Sequence, residues 1–331
     1  MTSIGVLEKI TNFYNENKDK LLHSEHKSYP INEDNFMEWI RRHQKISPEL
    51  EKLALCFRRY TTHISLERFL EKIGQISAHI RTLIIEGEYK KVILKFSGVG
   101  GGLVGMSKSN FWVTMLFFGY LQDVIDDIEI PFVPEEKTLV IVPDDVSYSG
   151  TQYTSVMNNL LRTGDNSLID YFIAIPYISK NAYEKIKKSK KNNSKIIFSN
   201  YSEEFLNIKQ LIEKEEKKSS KNIIEMWRVN TDIDIKKHPI YFDHKLADMV
   251  SIYQDIYAFG RPLHKMYCEN WEKISLINGC GIDQYNNIGC IDTFEDLQKE
   301  VGWEKICPVP FYKDIKYTYN GNEITSFNSI L

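Results

Sequence analysis

Pro143-Asp144-Asp145-Val146-Ser147-Tyr148-Ser149-Gly150-Thr151-Gln152 concentrates more usable chemistry than any other stretch of the chain. Two adjacent carboxylates follow an apolar run, and hydroxyls and a glycine follow them. Neighbouring residues at a strand end point opposite ways, so one carboxylate can face a diol or a metal while the other supports the turn. Ser147, Ser149 and Thr151 can donate to phosphate oxygens, and the N–H groups of Tyr148 to Gln152 can converge on one phosphate where the turn opens a helix. An acid pair beside a phosphate cup suits a sugar phosphate carrying a diol. The plainer alternative is an acid-capped strand end in a purely structural turn.

A second candidate lies upstream. Ser97-Gly98-Val99-Gly100-Gly101-Gly102-Leu103-Val104-Gly105 places five glycines within eight residues after another apolar run. Bare peptide N–H groups at such a turn cradle anions, and glycine allows close approach. Gly100, Gly102 and Gly105 also fit the spacing of a dinucleotide turn, which would make the chain a nicotinamide-linked oxidoreductase. That reading wants an acidic residue ending the next strand, and Asp123, Asp126 and Asp127 lie in no readable strand end. A nucleotide P-loop is excluded, since Met106 and Ser107 stand where Lys and Ser or Thr are needed. Tight helix–sheet packing is the non-functional alternative.

These loops need a scaffold, and the apolar pattern supplies one. Val92 to Phe96, Thr138 to Val142, Tyr171 to Ile175 and Lys195 to Phe198 read as buried strands. Helical stretches alternate with them at Phe111–Leu121, Tyr153–Leu161 and Ala182–Lys188. Short connections between such elements imply an α/β fold with a mostly parallel sheet flanked by helices. Residues 1–86 read as an N-terminal helical region, with apolar spacing at Leu66, Phe69, Leu70, Ile73 and Ile76 behind a capping Ser65. Residues 87–226 form the core, and 227–331 a C-terminal α+β extension with a hairpin at Asn320-Gly321. The Lys-rich runs at 185–191 and 213–221 read as solvated surface.

On these residues the chain resembles the type I phosphoribosyltransferases, in a divergent branch. Val140 to Gln152 is similar to their loop for phosphoribosyl pyrophosphate (PRPP), in residue type, spacing and strand–turn–helix context. The resemblance covers roughly Lys91 to Phe198. It implies that Asp144 and Asp145 hold the ribose hydroxyls, directly or through Mg²⁺, and serve as the catalytic carboxylates. It also implies that Tyr148 to Thr151, with Ser147, cup the 5′-phosphate, and that Gly98, Val99, Gly100, Gly101 and Gly102 meet pyrophosphate through backbone amides. The implied reaction replaces pyrophosphate at the anomeric carbon by a nucleobase or other nitrogen acceptor, with Mg²⁺ as cofactor. Gln152 stands where many members have Ser or Thr, and Gln122 to Lys137 is short for the family's two-stranded flap. A catalytically inactive relative that binds nucleotides, or acts as a structural or regulatory protein, is the second expectation.

The family covers its base with a variable hood, and Pro239 to Asp248 is the candidate here. Tyr241 or Phe242 would stack on the heterocycle, Lys245 would meet an exocyclic oxygen, and Asp248 a ring nitrogen. The alternative is a capped helix with aromatics in the core.

Composition narrows the class. The 331 residues carry a net charge of −3, which argues against a protein built to coat nucleic acid or an acidic membrane. Met1 to Ile10 lacks the pattern of a secretory signal, and Val113 to Leu121 is too short to span a bilayer. Five cysteines without a C-x-x-C pair read as reduced thiols in a cytoplasmic protein and disfavour zinc. The added regions are the surfaces for a second copy or a protein partner.

Overall fold

The computed structural model describes residues 3–22, 61–95, 109–128, 134–151, 153–154, 167–188, 195–215, 221–222, 224–225, 234–242, 317–319 and 322–324. Contacts divide the chain into two compact units that interleave along it, rather than into three consecutive segments. One unit comprises Met1–Ser24, Glu67–Phe205 and Pro310–Leu331; the other comprises Glu25–Leu66 and Leu206–Val309.

The first unit is built on a four-stranded parallel sheet of β2 (Lys91–Leu94), β3 (Thr138–Pro143), β5 (Ile169–Ala174) and β7 (Lys195–Phe198), side by side in that order. The pairing aligns Ile93 with Val140, Val140 with Tyr171, and Tyr171 with Ile196. All six residues of β3 are buried, as the unbroken apolar run requires of a strand covered on both faces. On one face, Val140, Val142, Tyr171 and Ile173 pack against Tyr153 and against Ala182 and Ile186 of α4 (Lys180–Lys188). On the other face, His79 of α2 (Leu66–Glu86) meets Phe172 edge-on, ring centroids 5.6 Å apart.

The helix α2 buries Phe69, Ile73, Ile76 and Ile80, a single stripe at helical spacing. Helix α3 (Ser109–Leu121) has no such stripe, because it is apolar throughout and Trp112 to Phe118 are all buried. Helix α1 (Ser3–Leu22) contacts α3, with Tyr14 packed edge-on to Phe118. A Cβ on Gly119 would lie 2.2 Å from the Tyr14 hydroxyl, so a side chain there would displace the Tyr14 ring. The strands β10 (Tyr317–Tyr319) and β11 (Asn322–Ile324) pair antiparallel, Tyr319 opposite Asn322, around the Asn320-Gly321 position.

Each of the last three sheet strands continues after a break. The strands β4 (Val146–Ser147), β6 (Tyr177–Ser179) and β8 (Glu203–Phe205) follow β3, β5 and β7 and form a second parallel sheet in the matching order. The joint is held by Asp144 N–H donating to Ala174 O at 3.2 Å and Glu203 N–H to Pro176 O at 2.8 Å. This second sheet was not expected, since its strands have only two or three residues.

In the second unit, β1 (Thr62–Ile64) pairs in parallel with β9 (Ile240–Phe242), in a region where sequence indicated only helices and turns. Asn207 and Gln210 cap α5 (Ile208–Glu215) reciprocally, each side-chain oxygen accepting the other's backbone N–H at 2.8 and 3.0 Å. Among the described residues, no helix is long and apolar enough to cross a membrane. The architecture is α/β with parallel sheets.

Burial pushes the Tyr171 hydroxyl from 10.0 up to about 12. Its folded-state value is raised, so its contribution to stability is complete below the unfolded value and is lost as pH rises toward the folded one. Urea midpoints are therefore expected to fall between about pH 10 and 12, and to fall less steeply in Tyr171→Phe. Equal slopes in the two proteins would contradict this assignment.

Candidate functional site

Asp144 and Asp145 occupy the break between β3 and β4, at the carboxyl end of the four-stranded sheet. Parallel α/β sheets bind ligands at that end. They do not stand on an open rim, because the second sheet continues the strands past them. Asp144 is 4% and Asp145 1% exposed. Each carboxylate closes a turn on the next residue: Asp144 Oδ1 accepts the Asp145 N–H at 2.9 Å, and Asp145 Oδ1 accepts the Val146 N–H at 2.7 Å. These bonds engage one oxygen of each carboxylate and offset part of the cost of burying charge.

Tyr153 lies under the pair. Its hydroxyl donates to Val142 O at 3.3 Å. Burial, then the charges of Asp144 and Asp145, push its ionisation well above the usual tyrosine value, so it keeps its proton beneath the carboxylates.

The hydroxyl loop follows directly, and the structure divides its residues by role. Ser147 is buried within β4, opposite Ile178, so its hydroxyl belongs to the second sheet rather than to the exposed turn. The Tyr148 ring packs edge-on to Phe205 at 5.4 Å, which leaves its backbone to the loop. Ser149 and Thr151 are exposed. The Thr151 N–H donates to Ser149 Oγ at 3.3 Å, and Thr154 returns both its N–H and its hydroxyl to Gly150 O at 2.9 and 2.7 Å. Thr151, Tyr153 and Thr154 are helical, and the rest of the expected Tyr153–Leu161 helix lies outside the described residues.

Helix α4 fixes the loop from the side. Ser179 donates its hydroxyl to Tyr148 O and accepts the Ala182 N–H at 3.0 Å, capping α4 while tying it to the turn. Lys185 Nζ, later on α4, donates to Thr151 Oγ1 at 2.9 Å. A cation therefore stands on the exposed Thr151 hydroxyl. Sequence reading missed Lys185, which begins a lysine run indistinguishable from solvated surface, and it missed Tyr153, whose signal was only its place in the helix after the loop.

Gly98, Val99, Gly100, Gly101 and Gly102 lie outside the described residues, as do Gln152, Lys245, Asp248 and all five cysteines. Of the hood candidates, Tyr241 and Phe242 are on β9, aligned with His63 and Ile64. Phe242 is 0% exposed, so its ring is core rather than a stacking platform. It belongs to the second unit, whereas Asp144 to Thr151 belong to the first. The short Gln122–Lys137 connection is not a two-stranded flap in its described part. Asp126 N–H donates to Val92 O at 2.9 Å and Leu94 N–H to Asp127 O at 3.0 Å, so it lies along the outer edge of β2.

The donor chemistry of Asp144 and Asp145 fits a hard, oxygen-seeking cation such as Mg²⁺, which takes one or two carboxylates and keeps several waters. Among the described residues no group of three or more potential ligands is assembled. No family model, curated protein or solved structure matches the chain.

Gly150 has φ +67°, and a Cβ there would sit 2.9 Å from Ala182 Cα. Gly150→Ala is expected to lower stability by about 1–3 kcal/mol, read from urea unfolding. A loss under about 0.5 kcal/mol would show that the loop and α4 are not locked together as described.

Proposed function

We propose that this chain is a phosphoribosyltransferase-like protein that binds PRPP or a ribose-5-phosphate compound with Mg²⁺. One juxtaposition carries the reading: the Asp144–Asp145 pair at the end of a parallel strand runs straight into a turn with exposed Ser149 and Thr151 hydroxyls, the second of which is met by Lys185. The turn and its cation suit the 5′-phosphate: hydroxyls orient the oxygens, and the ammonium offsets their charge. The carboxylates suit the ribose hydroxyls. Asp144 and Asp145 would hold Mg²⁺, which, when bound, would offset charge on a pyrophosphate group. Departure of pyrophosphate leaves positive charge on the ribose ring, and carboxylates held beside the ring stabilise it. Tyr153 keeps the floor neutral, so the negative charge of the pair is not increased by a phenolate.

The burial of both carboxylates favours the second reading, a nucleotide-binding relative without transfer activity. In the conformation described, a sugar reaches them only if the turn opens.

Calorimetry with PRPP and Mg²⁺ tests the binding. Saturable binding is expected, weakened at least tenfold in Asp144→Asn plus Asp145→Asn and about tenfold in Lys185→Glu. A folded protein that binds neither PRPP nor ribose 5-phosphate, or binding unchanged in the double variant, would overturn the proposal. Pyrophosphate release across a panel of nucleobases then separates enzyme from binding protein.

A further inference from the structure

The outer strand β7 offers a second site, independent of the acid pair. β5 pairs with one side of it, and among the described residues no strand pairs with the other. All four of its residues, Lys195 to Phe198, line an open pocket of about 430 Å³, with Tyr183 and Lys187 of α4 on its wall. An outer strand presents backbone N–H and C=O groups that an extended chain can pair with, and charged side chains beside it decide which chains are admitted.

Pleating places Ile196 and Phe198 on the α4 side, where both pack on the core and Phe198 lies 4.6 Å from the Tyr183 ring. Lys187 Nζ lies over that Tyr183 ring at 5.4 Å. Lys195 is exposed on the opposite side of the pleat. Each face of an added strand would therefore meet a lysine. One carboxylate, Glu204, also lines the pocket, against the two ammonium groups. A second copy of this chain is a poor occupant, since pairing two β7 edges would bring both sets of lysines together.

We propose that β7 is a docking edge for an extended, acidic segment of another polypeptide, which adds as a fifth strand. Its backbone would pair with the outer side of β7, its acidic side chains would meet Lys187 and Lys195, and an apolar residue would lie against Tyr183 and Phe198.

A fluorescein-labelled hexapeptide Glu-Glu-Val-Val-Glu-Glu, which puts acidic and apolar side chains on both faces of an extended strand, titrated into the full-length protein and followed by anisotropy, tests this. Binding is expected to weaken with added salt and to fall about tenfold in Lys187→Glu plus Lys195→Glu. A Lys-Val hexapeptide is expected not to bind. Amide exchange at 195–198 is expected to slow with the Glu-Val peptide. The wild-type salt titration needs no variant, so a misfolded double variant would not leave the idea untested. Absence of binding at millimolar peptide, binding indifferent to salt, or protection confined to other segments would overturn it. So would equal slowing at 195–198 by adenosine monophosphate, which would make the pocket a small-anion site.

Discussion

Two carboxylates buried side by side within a sheet joint must be satisfied locally, and the form of this site follows from how that is done. An isolated charge in such surroundings is costly, so the chain turns sharply after β3 and supplies the Asp145 and Val146 N–H groups to the two side chains. The turn breaks the strand. The break ends the four-stranded sheet and lets β4 begin a second sheet on a new line, with β6 and β8 alongside. These side-chain acceptors take up two N–H groups at the point where the strand pairing is interrupted.

The hydroxyl turn inherits its position from that joint. Ser179 links the Tyr148 carbonyl to the first turn of α4, and Gly150 fits against Ala182 where no side chain has room. Lys185 then reaches Thr151 from the same helix. Strand, turn and helix together bracket a small polar surface, and hydroxyls held in advance lose little freedom on binding a phosphate. The sealed carboxylates and the exposed turn have different accessibilities, so phosphate capture at the turn is the step open to a ligand in the conformation described.

How much of this could be read in advance depended on whether a feature was local. The four long strands were legible because a parallel strand covered on both faces must be apolar without interruption, as Leu139 to Val142 is. The terminal hairpin was legible because Asn-Gly suits a two-residue turn, and α2 because its stripe repeats at helical spacing. The second sheet was not, since Val146-Ser147 and Tyr177 to Ser179 are too short to show a period. Ser147 consequently looked like a member of the phosphate turn. The pairing of Thr62 to Ile64 with Ile240 to Phe242 depends on partners far apart in the chain, which no local pattern encodes. Phe242 looked like a stacking ring for the same reason. Lys185 was hidden by composition: one lysine in a run matters only once a fold sets Thr151 opposite it.

On the proposed function, a phosphorylated pentose settles on the turn after β3. Hydrogen–deuterium exchange of the full-length protein, with and without saturating PRPP and Mg²⁺, tests that directly. Slowed exchange centred on residues 144–154 is the result this account predicts. Exchange unchanged there, in a protein whose remaining amides report an intact fold, would contradict it.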